Sequence, residues 1–206
     1  MDTIIRRMNM LSQAAGQSRV EYITNPTLEE FINTGFTPNA KTRVVVVLRD
    51  FQHTSTMAFG GRNANDVSMF CVGSHSEGTI RFDYGTKSGN NQVKYTYTGG
   101  VGDHTLEINN GVCKVDGTTV YTFRAAVKTF TGAQPIHIFG MNNGGTHVNM
   151  LKSVKIVSAQ IYDNGTLVRD FVPYRVGTVG YMKDNVSGTL YANAGGGAFT
   201  YGQDIH

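Results

Sequence analysis

Carboxylate pairs are the first place to look for chemistry in this 206-residue chain. Retaining glycoside hydrolysis needs two carboxyl groups about 5 Å apart, most simply supplied by residues two or four apart on one strand face. The five glutamates do not offer that spacing. Glu21 and Glu77 are isolated, Glu29 and Glu30 are adjacent and so point to opposite sides of an extended segment, and Glu107 stands alone between Leu106 and Ile108. Aspartate pairs from different strands stay open, yet no pattern selects one, and the chain is read as not being an enzyme.

Histidine, serine and cysteine patterns lead the same way. His53, His75, His104, His137, His147 and His206 form no short metal-ligand cluster. The nearest pair, His137 and His147, flanks a stretch read as a loop, where ordinary strand or loop histidines account for both. No Gly-x-Ser-x-Gly elbow occurs, and the run at 195–197 lacks the Lys-Ser/Thr of a phosphate loop, so it reads as a turn. Cys71 and Cys113 each sit in a strand-like run, which suits two small buried apolar side chains; whether they pair depends on the fold.

Two polar stretches suit recognition instead: residues 60–66 (GGRNAND) and 140–149 (GMNNGGTHVN). Arg62, Asn63, Asn65, Asp66, Asn142, Asn143 and His147 offer directional hydrogen bonds to sugar hydroxyls, and the glycines let a ligand approach the backbone. The same residues read more simply as plain polar surface loops. The chain has no Trp, so stacking would fall to its ten Tyr and eleven Phe, many of which strand alternation would bury.

The elements that must position these groups are strands. Ile80, Phe82 and Tyr84 alternate with Arg81 and Asp83, and Val93, Tyr95 and Tyr97 alternate with Lys94, Thr96 and Thr98, giving one buried and one wet face. The run 44–48 is continuously apolar, as a central strand covered on both sides would be. Asn110-Gly111, Asp116-Gly117 and Asn164-Gly165 each separate two such runs and supply the positive φ values of a type I′ hairpin turn. Roughly a dozen short strands with no βα alternation predict an all-β sandwich or barrel. Pro26, Pro38, Pro135 and Pro173 fall at the edges of runs.

Composition agrees and excludes some partners. Only 16% of residues are charged, and the net charge of +3 is scattered singly apart from Arg6-Arg7, so binding of nucleic acid through a basic patch is disfavoured. No apolar run of about 18 residues is present to span a membrane. Residues 2–16 form the one helical pattern: Asp2 can cap it, Ile4, Ile5, Met8, Leu11 and Ala15 fall on one side, and Gly16 can end it. This gives a helical arm over residues 1–20 ahead of a single domain at 21–206, read either as folded back on its own sandwich or as an anchor into a neighbouring subunit.

Two stretches carry a family resemblance. IYDNGTLVRDFVPYRVGTVGYMKDNVSGTLYANAGGGAFTYG (161–202) resembles the closing segment of laminin-G-like, concanavalin A-like jelly-roll domains of phage and bacterial surface proteins. EYITNPTLEEFINTGFTPNAKTRV (21–44) resembles that family's opening strand, with a Tyr-Ile pair and an Ile-x-Thr-Gly-Phe element ahead of Pro-Asn. Gly180-Tyr181-Met182-Lys183-Asp184 stands where the family often has Gly-Leu-Tyr-Asp, and Gly195-Gly196-Gly197 where it often has Gly-Thr-Gly. The resemblance implies a two-sheet antiparallel jelly-roll sandwich, with Leu167, Phe171, Leu190 and Phe199 as inward bulk and Arg169 and Asp170 on opposite sides of one strand.

Since such domains often bind calcium, Asp163-Asn164-Gly165 and Asp184-Asn185 are candidate oxygen ligands, though both also read as turns, and no cofactor is expected. In function the resemblance implies display or binding: a bacteriophage virion surface component, such as a capsid decoration, head fibre or tail-associated subunit. The arm would then dock onto other virion proteins, copies would form a homo-oligomer, and host or mucosal glycans would be weak ligands. A virion protein is released by lysis, consistent with the missing signal-peptide pattern after Met1. The alternative is a carbohydrate-binding module or adhesin of a bacterial surface.

Overall fold

The computed structural model describes residues 16–51, 56–63, 68–76, 78–86, 91–97, 102–125, 130, 132, 134–148 and 154–205. Residues 1–15 of the expected helical arm, with Ile4, Ile5, Met8 and Leu11, lie outside these residues, as do Asn65 and Asp66. What is described is a β-sandwich of jelly-roll type, and among the described residues no helix is long and apolar enough to cross a membrane.

The first sheet runs in the order β11 (Thr118–Thr122), β10 (Val112–Val115), β9 (Gly102–Asn109), β4 (Thr42–Phe51), β15 (Lys155–Asp163), β16 (Thr166–Val176), β17 (Val179–Asp184) and β18 (Leu190–Tyr191). Beside it, β1 (Gln17–Arg19) pairs with β16, and β2 (Ile23–Thr24) pairs with β15 and β19 (Thr200–Tyr201). The second sheet runs β14 (Thr146–Val148), β13 (Met141–Asn143), β5 (Thr56–Arg62), β6 (Ser68–Ser76), β7 (Thr79–Thr86) and β8 (Gln92–Thr96), while β12 (His137–Ile138) lies between β5 and β3 (Ile32–Asn33). Among the described strands, the eleven of four residues or more match the expected dozen; the others are two- or three-residue pairings that hydrophobic periodicity is too short to reveal.

The three expected hairpins form. Asn110, Asp116 and Asn164 take φ of 46°, 51° and 48°, each followed by a glycine of positive φ, as a turn matching the strand twist requires. The core forms between the sheets. Val44, Val46, Leu48, Leu106, Ile108, Ile161 and Phe171 project from one side, and Phe59, Phe70, Val72, Ile80, Phe82 and Tyr84 from the other. Each such side chain contributes about 1.5–3 kcal/mol on burial. Tyr84 packs against Phe70, Phe123 and Phe130 with ring centroids at 5.9, 5.5 and 5.1 Å, and its hydroxyl donates to the Ala40 carbonyl.

Several expectations change in detail. The run 44–48 is central but covered on one side only, since Val45 and Val47 are half-buried on the outer face. A β-bulge between Ile161 and Tyr162 sets Leu167 opposite Tyr162 on the outer side, so Val168 packs against the core in its place. Pairing of β17 with β18 likewise turns Tyr191 inward, edge-on to Phe171, and sets Leu190 opposite Lys183 on the outer side. Pro173 lies inside β16; its carbonyl accepts from Val20 N, so the position where its N–H is missing faces the short β1 side. Asp83, expected on a wet face, is fully buried and held bidentately by Arg81. Cys71 and Cys113 are both buried, lie on different sheets and form no disulfide.

The two recognisable stretches are neighbours in space. Asn193 Oδ1 accepts from Phe31 N and Gly195 N, and its Nδ2 donates to the carbonyls of Gly195, Gly196 and Gly197. A Cβ on Gly195 would sit 1.9 Å from the Glu29 carbonyl oxygen, so the glycine run is a turn wrapped around 29–31. At one corner Arg175 grips Asp204 with Nε and Nη2 and reaches the Gly16 carbonyl, Gly177 N donates to Gly16 O, and Val20 bridges to Asp204. Gln17–Arg19 and Val20, expected in the arm, thus pair with the sandwich.

Candidate functional site at the edge of the second sheet

The described parts of the two polar stretches singled out in the sequence, 60–63 and 140–148, come together. Residues 60–62 are the end of β5 and not a loop, and 141–148 are a tight hairpin, β13–β14. Phe139 and Gly140 make the junction. β12 runs antiparallel to β5 at Phe59 and Gly60; the chain then reverses, and β13 continues parallel to β5, placing Asn142 beside Gly61 and Asn143 beside Arg62. Phe139 has φ 71°, a costly backbone for a bulky residue, sustained by its N–H donating to Ala58 O and by a buried ring against Phe199 at 5.3 Å.

Arg62 Nε donates to Asn143 Oδ1 at 3.1 Å, and Gly144 N to the Arg62 carbonyl, so the hairpin is locked to the strand. Asn142 is buried and its Oδ1 accepts from Gly145 N at 2.8 Å, closing the hairpin turn. Asn63 Oδ1 accepts from Ser68 N. The glycines of this edge answer to packing: a Cβ at Gly60 would lie 2.6 Å from Cys71 Sγ, one at Gly61 2.5 Å from the Gln134 carbonyl, and one at Gly140 2.4 Å from His147 Cε1. Beneath the hairpin, Met57, Cys71, Met141 and Val148 form a small apolar cluster of their own, and burial raises the Cys71 thiol pKa strongly, so it stays neutral.

His147 joins two residues that the sequence reading did not place in the site. Its ring lies parallel to Phe31, with centroids 4.0 Å apart and an 11° angle; His137 stacks on the same phenyl at 4.5 Å, and the two Nδ1 atoms approach to 3.1 Å. Burial lowers both imidazole pKa values from 6.5 to about 4. For His147 the charge of His137 adds to this and a hydrogen bond to the Phe139 backbone works against it. His147 Nε2 is buried without a hydrogen-bond partner. Nothing in the alternation of 29–36 marks Phe31 out, because its position is set from residue 193, far along the chain.

Elsewhere, several described groups able to do chemistry are engaged in holding the fold. Asp116 Oδ2 lies 3.0 Å from His104 Nδ1 and accepts from Tyr97 Oη at 3.1 Å, while its Oδ1 accepts from Thr105 N. This triangle ties β8 to the opposite sheet. The Tyr97 phenol pKa is raised by burial and by Asp116, which makes it a poorer acid. Glu107 is held by Arg43 and Lys114, and Glu30 by Thr27. The calcium candidates are committed to turns: Asp163 accepts from Asn39, and Asp184 from Asp170 N, Val186 N and Ser187 Oγ. Among the described residues no group of three or more acids, histidines or cysteines is placed to hold a metal. On the outer face of the first sheet, Tyr22, Tyr162 and Tyr174 carry Lys155, Arg43 and Lys183 over their rings at 4.8, 4.7 and 4.9 Å. Each ring already has a cation on its face. The sequence matches no protein-family model and no curated protein, so the reading of this edge rests on its own geometry.

Proposed function

We propose that this chain is a non-catalytic display and binding sandwich, a surface component of a bacteriophage particle, that recognises glycan hydroxyls at the β5–β13–β14 edge. The observation that carries the binding part is the parallel pairing that sets Arg62 against Asn143 and gathers the two polar stretches into one rigid edge. Rigid polar groups suit sugar hydroxyls, because little ordering is left to be done on binding. The non-catalytic part is supported by the engagement of Glu30, Glu107, Asp116 and Asp184 in structural bonds. The virion setting is supported by the resemblance of 21–44 and 161–202 to phage surface jelly rolls.

A glycan array followed by titration calorimetry tests the recognition edge. The Arg62→Ala variant is expected to lose about tenfold in affinity for whatever glycan the native chain retains, with unchanged circular dichroism, roughly the worth of one charge-assisted hydrogen bond. Undiminished binding by that variant moves the site elsewhere. For the arm, Ile4→Asp combined with Met8→Asp is expected to lower the mass measured by sedimentation equilibrium, since a charge in a docked apolar stripe abolishes docking. An unchanged mass overturns the anchoring role.

A further inference from the structure

We propose that His137 and His147 form an acid-released latch: as neutral rings they hold the β13–β14 hairpin against Phe31, and when protonated they let it go. The geometry carries this. Two Nδ1 atoms 3.1 Å apart share one proton, so one ring donates and the other accepts. A proton added to the accepting Nδ1 sets two N–H groups against each other. A proton added instead at His147 Nε2 is buried, and the Phe139 backbone, which favours the charged ring, is outweighed by that burial. A second proton places like charges on rings whose centroids are 5.2 Å apart, with Phe31 stacked on both.

No carboxylate compensates. Among the described residues neither ring is hydrogen-bonded to an acid, and the charged groups on the surrounding elements are directed elsewhere. Arg62 on β5 is bonded to Asn143, Glu30 ahead of Phe31 to Thr27, and the Glu29 carboxylate lies against Gly196. Cys71 on β6 is neutral, and Asn33 and Asn142 carry no charge. Burial leaves both rings neutral down to about pH 4 in the folded chain, against 6.5 for an ordinary histidine. A lowered histidine pKa means that the unfolded or opened segment binds the proton more readily. The hold is therefore complete above pH 6.5 and is lost progressively as pH falls towards 4.

Release would move Asn142 and Asn143 away from Arg62. Only that consequence for ligand binding depends on the recognition reading above; the latch stands or fails without any ligand. Native-state amide exchange on the full chain, corrected for intrinsic rates and followed by NMR from pH 7 to 4, tests it. Protection of the amides in β13 and β14 is expected to fall by about tenfold or more, while β6, β7 and β9 keep theirs. In the double variant His137→Phe/His147→Phe, whose rings can still stack on Phe31 but cannot titrate, hairpin protection is expected not to change with pH. If β13–β14 opens only together with β6 and β7, or if the phenylalanine variant opens as the native chain does, the latch is wrong. Should that variant fail to fold, the ring resonances of native His137 and His147 decide: titration of either near 6.5 overturns the proposal, and titration of both well below it sustains it.

Discussion

Replacing Tyr84 with alanine is expected to lower the stability of the domain by about 3–5 kcal/mol, the loss typical when a large buried aromatic is deleted from a packed core. Tyr84 is fully buried on β7 and touches aromatic rings from three other parts of the chain: Phe70 on β6, Phe123 beyond β11, and Phe130. It therefore joins the second sheet to the segment leaving the first. Its hydroxyl adds a separate contribution, the hydrogen bond to the Ala40 carbonyl. Tyr84→Phe keeps the ring and leaves that carbonyl without its donor, which is expected to cost about 1–2 kcal/mol. Chemical denaturation reads both, with the denaturant slope unchanged if only the folded state is affected. A loss below about 1 kcal/mol for the alanine variant would show that the aromatic layer does not hold the sheets together.

The second large effect belongs to Asp184. Its carboxylate is buried, with Oδ1 accepting from the backbone of Asp170 and Val186, and Oδ2 from Ser187 Oγ. Burial alone would raise its pKa, but these hydrogen bonds and the charge of Arg169 outweigh burial, and the value is lowered. Asp184→Ala leaves two amide donors and a hydroxyl without their acceptor and is expected to cost about 3 kcal/mol. Asp184→Asn retains the Oδ1 acceptor for both amides and reverses the Ser187 bond, so a loss nearer 1 kcal/mol is expected. The pH dependence distinguishes charge from shape. A carboxyl with a lowered folded pKa contributes fully above its unfolded value, about 3.9, and less as pH falls through the folded value. The gap between native chain and asparagine variant should therefore narrow in acid. A gap that stays constant from pH 6 to pH 2.5 would show that the charge of Asp184 contributes nothing.

Much of the sandwich could be read from residue order because its signals are local. Asn110-Gly111, Asp116-Gly117 and Asn164-Gly165 need only their own φ values to be turns, and the alternation of Ile80, Phe82 and Tyr84 needs only the pleat. Residue order misleads where a distant strand decides which way a side chain faces. Leu167 and Leu190 look like core residues until bulge and register, set by Tyr162 and Lys183, turn them outward. Asp83 looks solvated until Arg81 and the neighbouring strands cover it.

The edge of the second sheet shows the same division. Arg62, Asn142, Asn143 and His147 were legible as polar side chains among glycines, which is a compositional signal. Their convergence was not, because it follows from the reversal at Phe139 and Gly140, and a phenylalanine at positive φ leaves no mark on periodicity. His137 and Phe31 were missed as partners of His147 for a related reason. One sits on the strand before the reversal, and the other is held through Asn193.

The corner where Arg175 grips Asp204 governs how the whole body can be carried. Gly16 and Ile205 are fastened there within a few hydrogen bonds of each other, Ile205 N donating to Arg19 O while Gly16 O accepts from Gly177 N. Chain entering and chain leaving thus share one point of suspension. A pull on both ends together loads that corner, whereas a pull between the ends acts first on the bonds that join them, Ile205 N to Arg19 O and the Val20–Asp204 bridge. A tether fused on either side would swing the sandwich about the same pivot.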